Sequence, residues 1–142
     1  ERLGAQKVEA ARLVARETAV LRALSHPGLP GLLDVFMSDN TTLWLVLEYG
    51  GIDLKTKSYS DRLHRANLAA TQIRSFAHQT LTAVAHLHER GFLHRDLCPR
   101  QLLVDSTGRL KLSGFAFARR MRERNEATYT HAVVTLWYRA PE

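Results

Sequence analysis

The stretch HRDLCPRQLLV, residues 94–104, decides how the rest of the chain is interpreted. Its carboxylate, Asp96, follows a His-Arg pair, and its last three residues form an apolar run. Cys98 and Gln101 lie between the carboxylate and that run. Order and spacing matter because an isolated His-Arg-Asp tripeptide also occurs by chance. The sequence therefore poses the question whether this loop performs chemistry or only keeps the frame of a chemical site.

A helix and a hairpin are predicted on either side of this loop. A helical period of apolar residues extends from Leu68 to Arg90, and Gly91 is placed as its C-terminal stop. Downstream, the segments LLV at 102–104 and RLKL at 109–112 flank the turn sequence at 105–108, which predicts a β-hairpin. The helix is predicted to belong to the core through the stripe Ile73, Phe76, Ala77, Leu81, Val84 and Leu87.

The N-terminal third of the chain predicts a helix followed by two strands. Apolar residues recur near every 3.6 positions over residues 6–24, and the Ser-His-Pro-Gly sequence at 25–28 ends the helix. The apolar runs at 31–37 and 43–49 are separated by a short polar segment, which predicts an antiparallel pair. Asp53 is placed to cap a short helix after them.

Composition and length indicate a single globular unit. The chain has 142 residues, of which 45% are hydrophobic and 24% are charged. No apolar run approaches the roughly 18 residues that a membrane helix requires. Cys98 is the only cysteine, so no internal disulfide can form. These observations predict an intracellular protein, cytoplasmic or nuclear, without a membrane partner.

Charge and histidine spacing argue against two other classes of function. The net charge of +6 is modest and partly local to residues 118–126. No nucleic-acid motif accompanies the arginines, so no nucleic-acid partner is expected. A zinc site is not expected either, because His86, His88 and His94 lack the i, i+4 spacing of a helical zinc motif.

The chain resembles the protein kinase family over essentially its whole length. The residues that carry the resemblance are HRD at 94–96, KLSGFAFAR at 111–119 and APE at 140–142, in that order. Two further stretches, ARETAVLRALSHPGL at 15–29 and TYTHAVVTLWYRAPE at 128–142, look like the cyclin-dependent kinase branch. The combination is more specific than any single fragment.

This resemblance implies an α+β, two-lobed protein-kinase-like fold that is only partly present, with the end of the small lobe and the first part of the helical large lobe. Residues 1–49 correspond to the small-lobe portion, with the first helix and two strands. Residues 50–142 correspond to the hinge, the large-lobe helix, the catalytic loop and the activation segment. Because the remaining elements of such a domain are missing, we expect exposed apolar surface on Val20, Leu21, Phe76 and Leu81.

The catalytic positions implied by the resemblance are partly altered. Asp96 occupies the catalytic-base position, and Thr135 occupies the position that hydrogen-bonds to this aspartate. The two metal-ligand positions hold Gln101, at most a weak ligand, and Gly114, which has no side-chain ligand. Cys98 stands where the family places a lysine beside the transferring phosphoryl group, so a positive charge is lost. No strongly bound metal is therefore expected.

The regulatory positions are retained. Arg16, Arg95 and Arg119 match three arginines that, in cyclin-dependent kinases, gather around a phosphorylated threonine, and Thr130 matches that threonine. Glu17 stands at the first-helix glutamate that pairs with the strand lysine in an active kinase. The resemblance thus implies a phosphorylation switch that is independent of the altered catalytic positions.

The nucleotide-binding positions implied by the resemblance are the hinge, at Glu48, Tyr49 and Gly50, the preceding gatekeeper Leu47, and Leu103 at the floor of the adenine pocket. Hinge backbone groups and apolar contacts provide most of the adenine binding. ATP binding can therefore survive, with magnesium weak or absent.

Three hypotheses for the function follow. The favoured one is a cyclin-dependent-kinase-like pseudokinase that acts through protein partners, with a cyclin-like partner implied at residues 11–17. The alternative is an active serine/threonine kinase that transfers the ATP γ-phosphoryl group to protein substrates through Asp96. The third, from another class, is a basic nucleic-acid-binding module, which salt-dependent retention of RNA or DNA would reveal.

Overall fold

The computed structural model describes residues 2–38, 42–57, 68–121 and 136–138. These residues form two long helices and several short strands, which pair in three small antiparallel sheets within the described ranges. The α+β class predicted from the sequence is confirmed. No helix in the described part of the chain combines the length and the apolar character that a membrane crossing needs.

Helix α1 spans Arg2–Ala23 and begins earlier than the sequence pattern predicted. Its alanines, arginines and leucines are strong helix formers, which lets the helix extend beyond its apolar stripe. Pro27 and Gly28 follow its end as predicted, and the Leu29 amide donates to the His26 carbonyl at 2.9 Å in the turn. The C-terminal residues of the helix therefore pack in the core.

Strands β1 (Leu32–Ser38) and β2 (Thr42–Leu47) form the predicted antiparallel pair. Phe36 lies opposite Trp44, and their rings stack with centroids 6.3 Å apart. The Trp44 indole N–H donates to the Ser38 hydroxyl at 2.9 Å. This hairpin leads directly into the predicted hinge.

A three-stranded sheet follows, in the order β3 (Ile52–Asp53), β5 (Leu102–Val104) and β6 (Leu110–Leu112). The predicted hairpin of β5 and β6 is confirmed. The addition of β3 was not predicted, because two residues carry no alternation of apolar and polar side chains. Asp53 accepts a hydrogen bond from the Thr56 amide at 2.9 Å, so it caps a helical turn at residues 54–57 as predicted.

Helix α2 spans Ala70–Glu89, close to the predicted bounds, and Gly91 follows it with a φ of +73°. The predicted apolar stripe is only partly buried. Phe76 and Leu87 are buried, but Ile73 and Leu81 are exposed. The described elements β4 (Phe92–Leu93) and β6 contact α2 from one side, so the opposite edge of the stripe remains uncovered.

The main core lies where α1, α2 and the segment after β6 meet. Val20 of α1 and Leu24, the residue just after this helix, pack in one cluster with Leu87, Leu112 and Phe115. A second cluster between α2 and the hairpin consists of Phe76, Val104 and Leu110. The expectation of exposed surface is therefore wrong for Val20, Leu21 and Phe76, which these clusters bury, and it is confirmed for Leu81, which is 68% exposed.

A short strand pair places the segment after β6 beside the loop that contains Asp96. Strand β7 (Arg119–Arg120) pairs antiparallel with β4, and the Met121 amide donates to the Gly91 carbonyl at 2.7 Å. The sequence pattern did not predict this pair, since two-residue strands lack periodicity. The pairing places the segment after Gly114 beside the loop that contains Asp96.

Candidate functional site

His94 organises the loop that contains Asp96. Its Nε2 atom lies 2.8 Å from the carbonyl oxygen of Ser113, and its Nδ1 accepts the Asp96 amide at 3.2 Å. Because a carbonyl can only accept, Nε2 carries the proton and the ring is the neutral Nε2–H tautomer. Burial lowers the pKa of His94, which favours this neutral form. The histidine therefore fixes the backbone on both sides of the site.

The Asp96 carboxylate is buried, with 6% of the residue exposed, and its Oδ2 accepts a hydrogen bond from Gln101 Nε2 at 3.2 Å. Arg95, immediately before it, has a positive φ of 69°, an unusual conformation for a residue with a side chain. The loop therefore holds the carboxylate in one orientation, as a positioned base requires.

Gly114 faces the side chain of Gln101. It adopts the left-handed conformation, with φ 78° and ψ 56°. A Cβ placed on Gly114 would overlap the carboxamide group of Gln101. The two residues that the sequence placed at metal-ligand positions are thus adjacent, and the glutamine side chain occupies the space next to the glycine.

The donor groups at these two positions do not fit a pair of magnesium ions. Magnesium prefers carboxylate and other oxygen ligands in near-octahedral geometry. Gly114 supplies no side-chain oxygen, and Gln101 directs its N–H group toward Asp96. Within the described residues, no cluster of three or more His, Cys, Asp or Glu side chains is available as a substitute site. The described residues around Asp96 therefore do not fit a catalytic metal ion.

Helix α1 is hydrogen-bonded to the segment after Gly114. Glu17 Oε1 accepts the Phe115 amide at 3.1 Å, and Arg16 Nη1 donates to the Ala116 carbonyl at 3.0 Å. The resemblance pairs Glu17 with a strand lysine, and none of the described contacts tests this pairing, which stays a prediction. Cys98, at the lysine position of the loop, is buried.

Two of the three predicted regulatory arginines line one cavity. Arg16 and Arg119 contribute to a cavity of about 590 Å³ between α1, β4 and β7. Arg120 also lines it, and its guanidinium lies 5.4 Å from the centre of the Phe92 ring. Arg95 is not among the described residues that line this cavity. Thr130 and Thr135 lie outside the described residues, so the positions predicted for them stay predictions.

The predicted hinge is bonded to strand β6 through Lys111, which the sequence analysis did not single out. Lys111 Nζ lies 3.1 Å from Glu48 Oε2 and also donates to the carbonyls of Pro27 and Leu29 at 3.2 and 3.4 Å. The hydrogen bond from Lys111 and the one from the Gly31 amide lower the pKa of Glu48. The signal available in sequence was only an isolated lysine in an apolar strand.

The predicted adenine-binding residues separate into buried and exposed ones. Gly50 is buried against Leu103, where an added Cβ would come within 2.8 Å of Leu103 Cδ1. Leu47 packs against the main core. Tyr49 is 79% exposed, so its side chain is free of the packing that holds its neighbours. The structure thus brings Gly50 of the predicted hinge and Leu103 of the predicted pocket floor close together.

Comparisons with protein families and with solved structures agree with each other. The family model described as the protein kinase domain matches residues 2–142. Among solved structures, the chain is similar to the yeast RNA Pol II CTD kinase CTDK-1 complex, with a TM-score of 0.80 and 30% sequence identity. The match covers 91% of this chain and 41% of the chain in that complex.

The family match covers almost every residue, and it agrees with the order of the loop, hairpin and helices around Asp96. The solved structure supports the same assignment, because 30% sequence identity lies above the range in which a structural likeness shows only the fold. The recognition made from the sequence is thereby confirmed: the chain belongs to the protein kinase domain family.

Proposed function

We propose that this chain is part of a cyclin-dependent-kinase-like serine/threonine kinase domain that is catalytically impaired and acts through protein partners. The observation that carries this proposal is the contact between Gln101 and Gly114, where an amide side chain and a glycine replace two metal ligands. Metal ions stabilise the charge of a phosphoryl-transfer transition state by several kcal/mol. A loss of roughly 4 kcal/mol slows transfer about a thousandfold.

Nucleotide binding is a separate property from transfer in this proposal. The contact of Gly50 with Leu103 supports an adenine site formed by the hinge backbone and an apolar floor. ATP binds there through backbone groups of residues 48–50, with magnesium weak or absent. The cavity of about 620 Å³ beside Glu48 is lined by Lys111 and Asp105 and does not include Leu103, so it is not assigned to the nucleotide.

Regulation and partners follow the retained positions. Arg16, Arg95 and Arg119 bind the phosphate of phosphorylated Thr130, and the cavity that Arg16 and Arg119 share supports this arrangement. A cyclin-like partner binds α1 at residues 11–17. The CTDK-1 neighbour is itself a complex, which agrees with a kinase domain that has a protein partner.

The lobe assignment belongs to the same proposal. Residues 1–49 form the small-lobe portion, and residues 50–142 form the hinge and the large-lobe portion. The protein is intracellular, cytoplasmic or nuclear, as its single cysteine and charged composition favour.

A phosphoryl-transfer assay with radiolabelled ATP on the full-length protein tests the proposal. We expect incorporation no higher than that of the Asp96→Asn variant, because the metal positions are altered. Turnover that depends on Asp96 and falls within the usual kinase range of roughly 1–100 s⁻¹ would contradict it.

The alternative, an active serine/threonine kinase, has one observation in its favour. Asp96 is buried and held by Gln101 in a single orientation, as a catalytic base would be. In this case the Asp96→Asn variant loses the measured activity, whereas Ser106→Ala, in the exposed turn after β5, retains it. The same assay therefore separates the two functions.

A further inference from the structure

We propose that Gln101 and Gly114 form an interlocked pair that closes the second metal position by occupying it, so that this position is blocked as well as lacking a carboxylate. The inference rests on the proposed function, because it concerns the same site. It adds a specific consequence. Restoring an aspartate at position 114 alone cannot rebuild a metal site, since the glutamine already fills the required space.

The first step of the argument is that Gln101 cannot move away with its backbone. Its carbonyl accepts hydrogen bonds from the Ser113 amide at 2.8 Å and from the Ser113 hydroxyl at 3.1 Å. Its amide donates to the Cys98 carbonyl at 2.9 Å, within the 3₁₀ turn Pro99–Gln101. The main chain of Gln101 is thus attached to the residue that precedes Gly114.

The second step concerns the direction of the carboxamide. The Asp96 carboxylate can only accept hydrogen bonds, so the NH₂ end of Gln101 faces it and the oxygen faces Gly114. A carboxylate added at position 114 would meet that amide oxygen. Steric overlap and repulsion between oxygens therefore act together against such a side chain.

The third step is a comparison with another glycine of similar backbone conformation. Gly108 has a φ of +82° and Gly114 a φ of +78°, so a side chain is similarly strained at either position. A Cβ on Gly108 would have no atom within 4 Å outside its immediate neighbours, whereas one on Gly114 would overlap Gln101. The difference between the two sites is therefore the contact with Gln101.

Thermal unfolding of the full chain tests the pair without nucleotide. We expect Gly114→Asp to lower Tm by at least about 5 °C more than the control Gly108→Asp. Adding Gln101→Asn to Gly114→Asp shortens the side chain by one methylene and recovers at least half of that difference. Adding Gln101→Asn to Gly108→Asp produces only the sum of the two single effects.

The interlock is overturned if Gly114→Asp and Gly108→Asp lower Tm equally, or if Gln101→Asn brings no recovery at position 114. Should both aspartate variants at 114 fail to fold, the alanine series decides the matter. Gly114→Ala then destabilises more than Gly108→Ala, and Gln101→Ala removes the excess. A persistent excess in the absence of the glutamine side chain contradicts the proposal.

Binding of a fluorescent ATP analogue with and without magnesium gives the second measurement. The unmodified chain and Gly114→Asp are expected to show affinities that change less than about twofold with magnesium, whereas Gln101→Asn/Gly114→Asp gains about tenfold or more. An equal gain in Gly114→Asp alone would overturn the interlock. If no variant binds nucleotide, the proposed ATP site fails, while the unfolding comparison still decides whether the pair interlocks.

Discussion

The two ends of strand β6 have a similar backbone feature in opposite surroundings. At one end, Gly108 forms the turn of the hairpin with a positive φ, and Gln79 of α2 donates to its carbonyl at 3.1 Å. At the other end, Gly114 has nearly the same φ, and the side chain of Gln101 lies against its α-carbon. Each end therefore has a glycine with a positive φ and a glutamine that contacts it. Only at Gly114 does the glutamine side chain occupy the space that a Cβ would need.

This difference teaches that a glycine of positive φ can be required for two separate reasons. At Gly108 the requirement is conformational, since the surrounding space is open. At Gly114 it is also steric, and the space that the glycine leaves is taken by a polar side chain that binds Asp96. Gln101 and Gly114, at the second end, are thus packed against each other. Four changes to the chain test this difference between the two ends.

The largest effect is expected at the Gly114 end, from Phe115→Ala. Phe115 is 0% exposed and packs edge-on against His94, with ring centroids 5.2 Å apart. Truncation leaves a cavity in the main core and lowers the free energy of unfolding by about 3–5 kcal/mol. Chemical denaturation measures this loss, with Ser106→Ala in the exposed turn as the control. Similar losses for the two variants would show that the Gly114 end is not anchored through the core.

A smaller effect is expected at the Gly108 end, from Gln79→Ala. Besides its bond to Gly108, Gln79 Oε1 accepts the Leu110 amide at 2.8 Å, so truncation removes partners from both sides of the turn. The expected loss is about 1–3 kcal/mol, because buried groups without partners are costly. Thr82→Ala, on the same helix but bonded only to the His78 carbonyl, is the matched control in the same denaturation experiment. Equal losses for both would refute the role of Gln79.

The third effect is a pH dependence at the Gly114 end. Burial lowers the pKa of His94 below its ordinary 6.5, so the unfolded chain binds more protons once the pH falls below that value. The contribution of His94 to the free energy of unfolding is complete above pH 6.5. Below that pH it decreases by at most about 1.4 kcal/mol per pH unit. Unfolding measured from pH 7.5 to 5 should show a shallower slope in His94→Asn.

A matched variant separates this slope from that of another histidine. Burial and the neighbouring His86 also lower the pKa of His26, whose ring stacks on that of His86 with centroids 4.7 Å apart. His26→Asn should therefore remove a different share of the pH slope. The shares of the two histidines should add, because neither histidine contributes to the pKa shift of the other. An unchanged slope in His94→Asn would contradict the role assigned to burial.

The smallest effect is expected in the exposed turn. Asp105 accepts hydrogen bonds from the Thr107 hydroxyl and the Arg109 amide, which lower the pKa of its carboxyl below the ordinary 3.8. Its contribution to stability is present above the unfolded pKa and is lost as the pH falls through the lower folded value. Asp105→Asn keeps the acceptor oxygen and removes the titration. The acid limb of the stability curve should flatten in this variant, and an unaltered limb would show that the turn gains nothing from the charge.

The sequence predicted the long elements more completely than the short ones. Helices α1 and α2 and the β5–β6 hairpin follow from apolar period, stop residues and turn chemistry, all of which act locally. The two-residue strands β3, β4 and β7 exist because distant backbone groups meet, so no local pattern indicates them. The exposure of Ile73 within a regular apolar stripe has the same origin, since burial depends on which elements pack against a helix.

The candidate site likewise contains features that the sequence predicted and contacts that it did not. Asp96, Gln101 and Gly114 were identified through the resemblance of their motifs to those of protein kinases, and their roles stay predictions. The family itself is shown by the match over residues 2–142. The hydrogen bond of Lys111 to Glu48 was not predicted, because it joins residues far apart in the chain. The bond of Glu17 to the Phe115 amide was missed for the same reason.

By itself, the sequence determined that the chain resembles the protein kinase family, which the family match confirms. It also predicted a catalytic aspartate at position 96 and altered metal-ligand positions at 101 and 114. Residue identity and spacing carry that information, since the required chemical groups are either present or absent. Only the tertiary structure decided that the two altered positions touch, with the Gln101 amide bonded to Asp96 and its other end filling the space beside Gly114. Such a contact depends on the left-handed backbone at Gly114 and on the hydrogen bonds of Ser113, which residue identity and spacing do not specify.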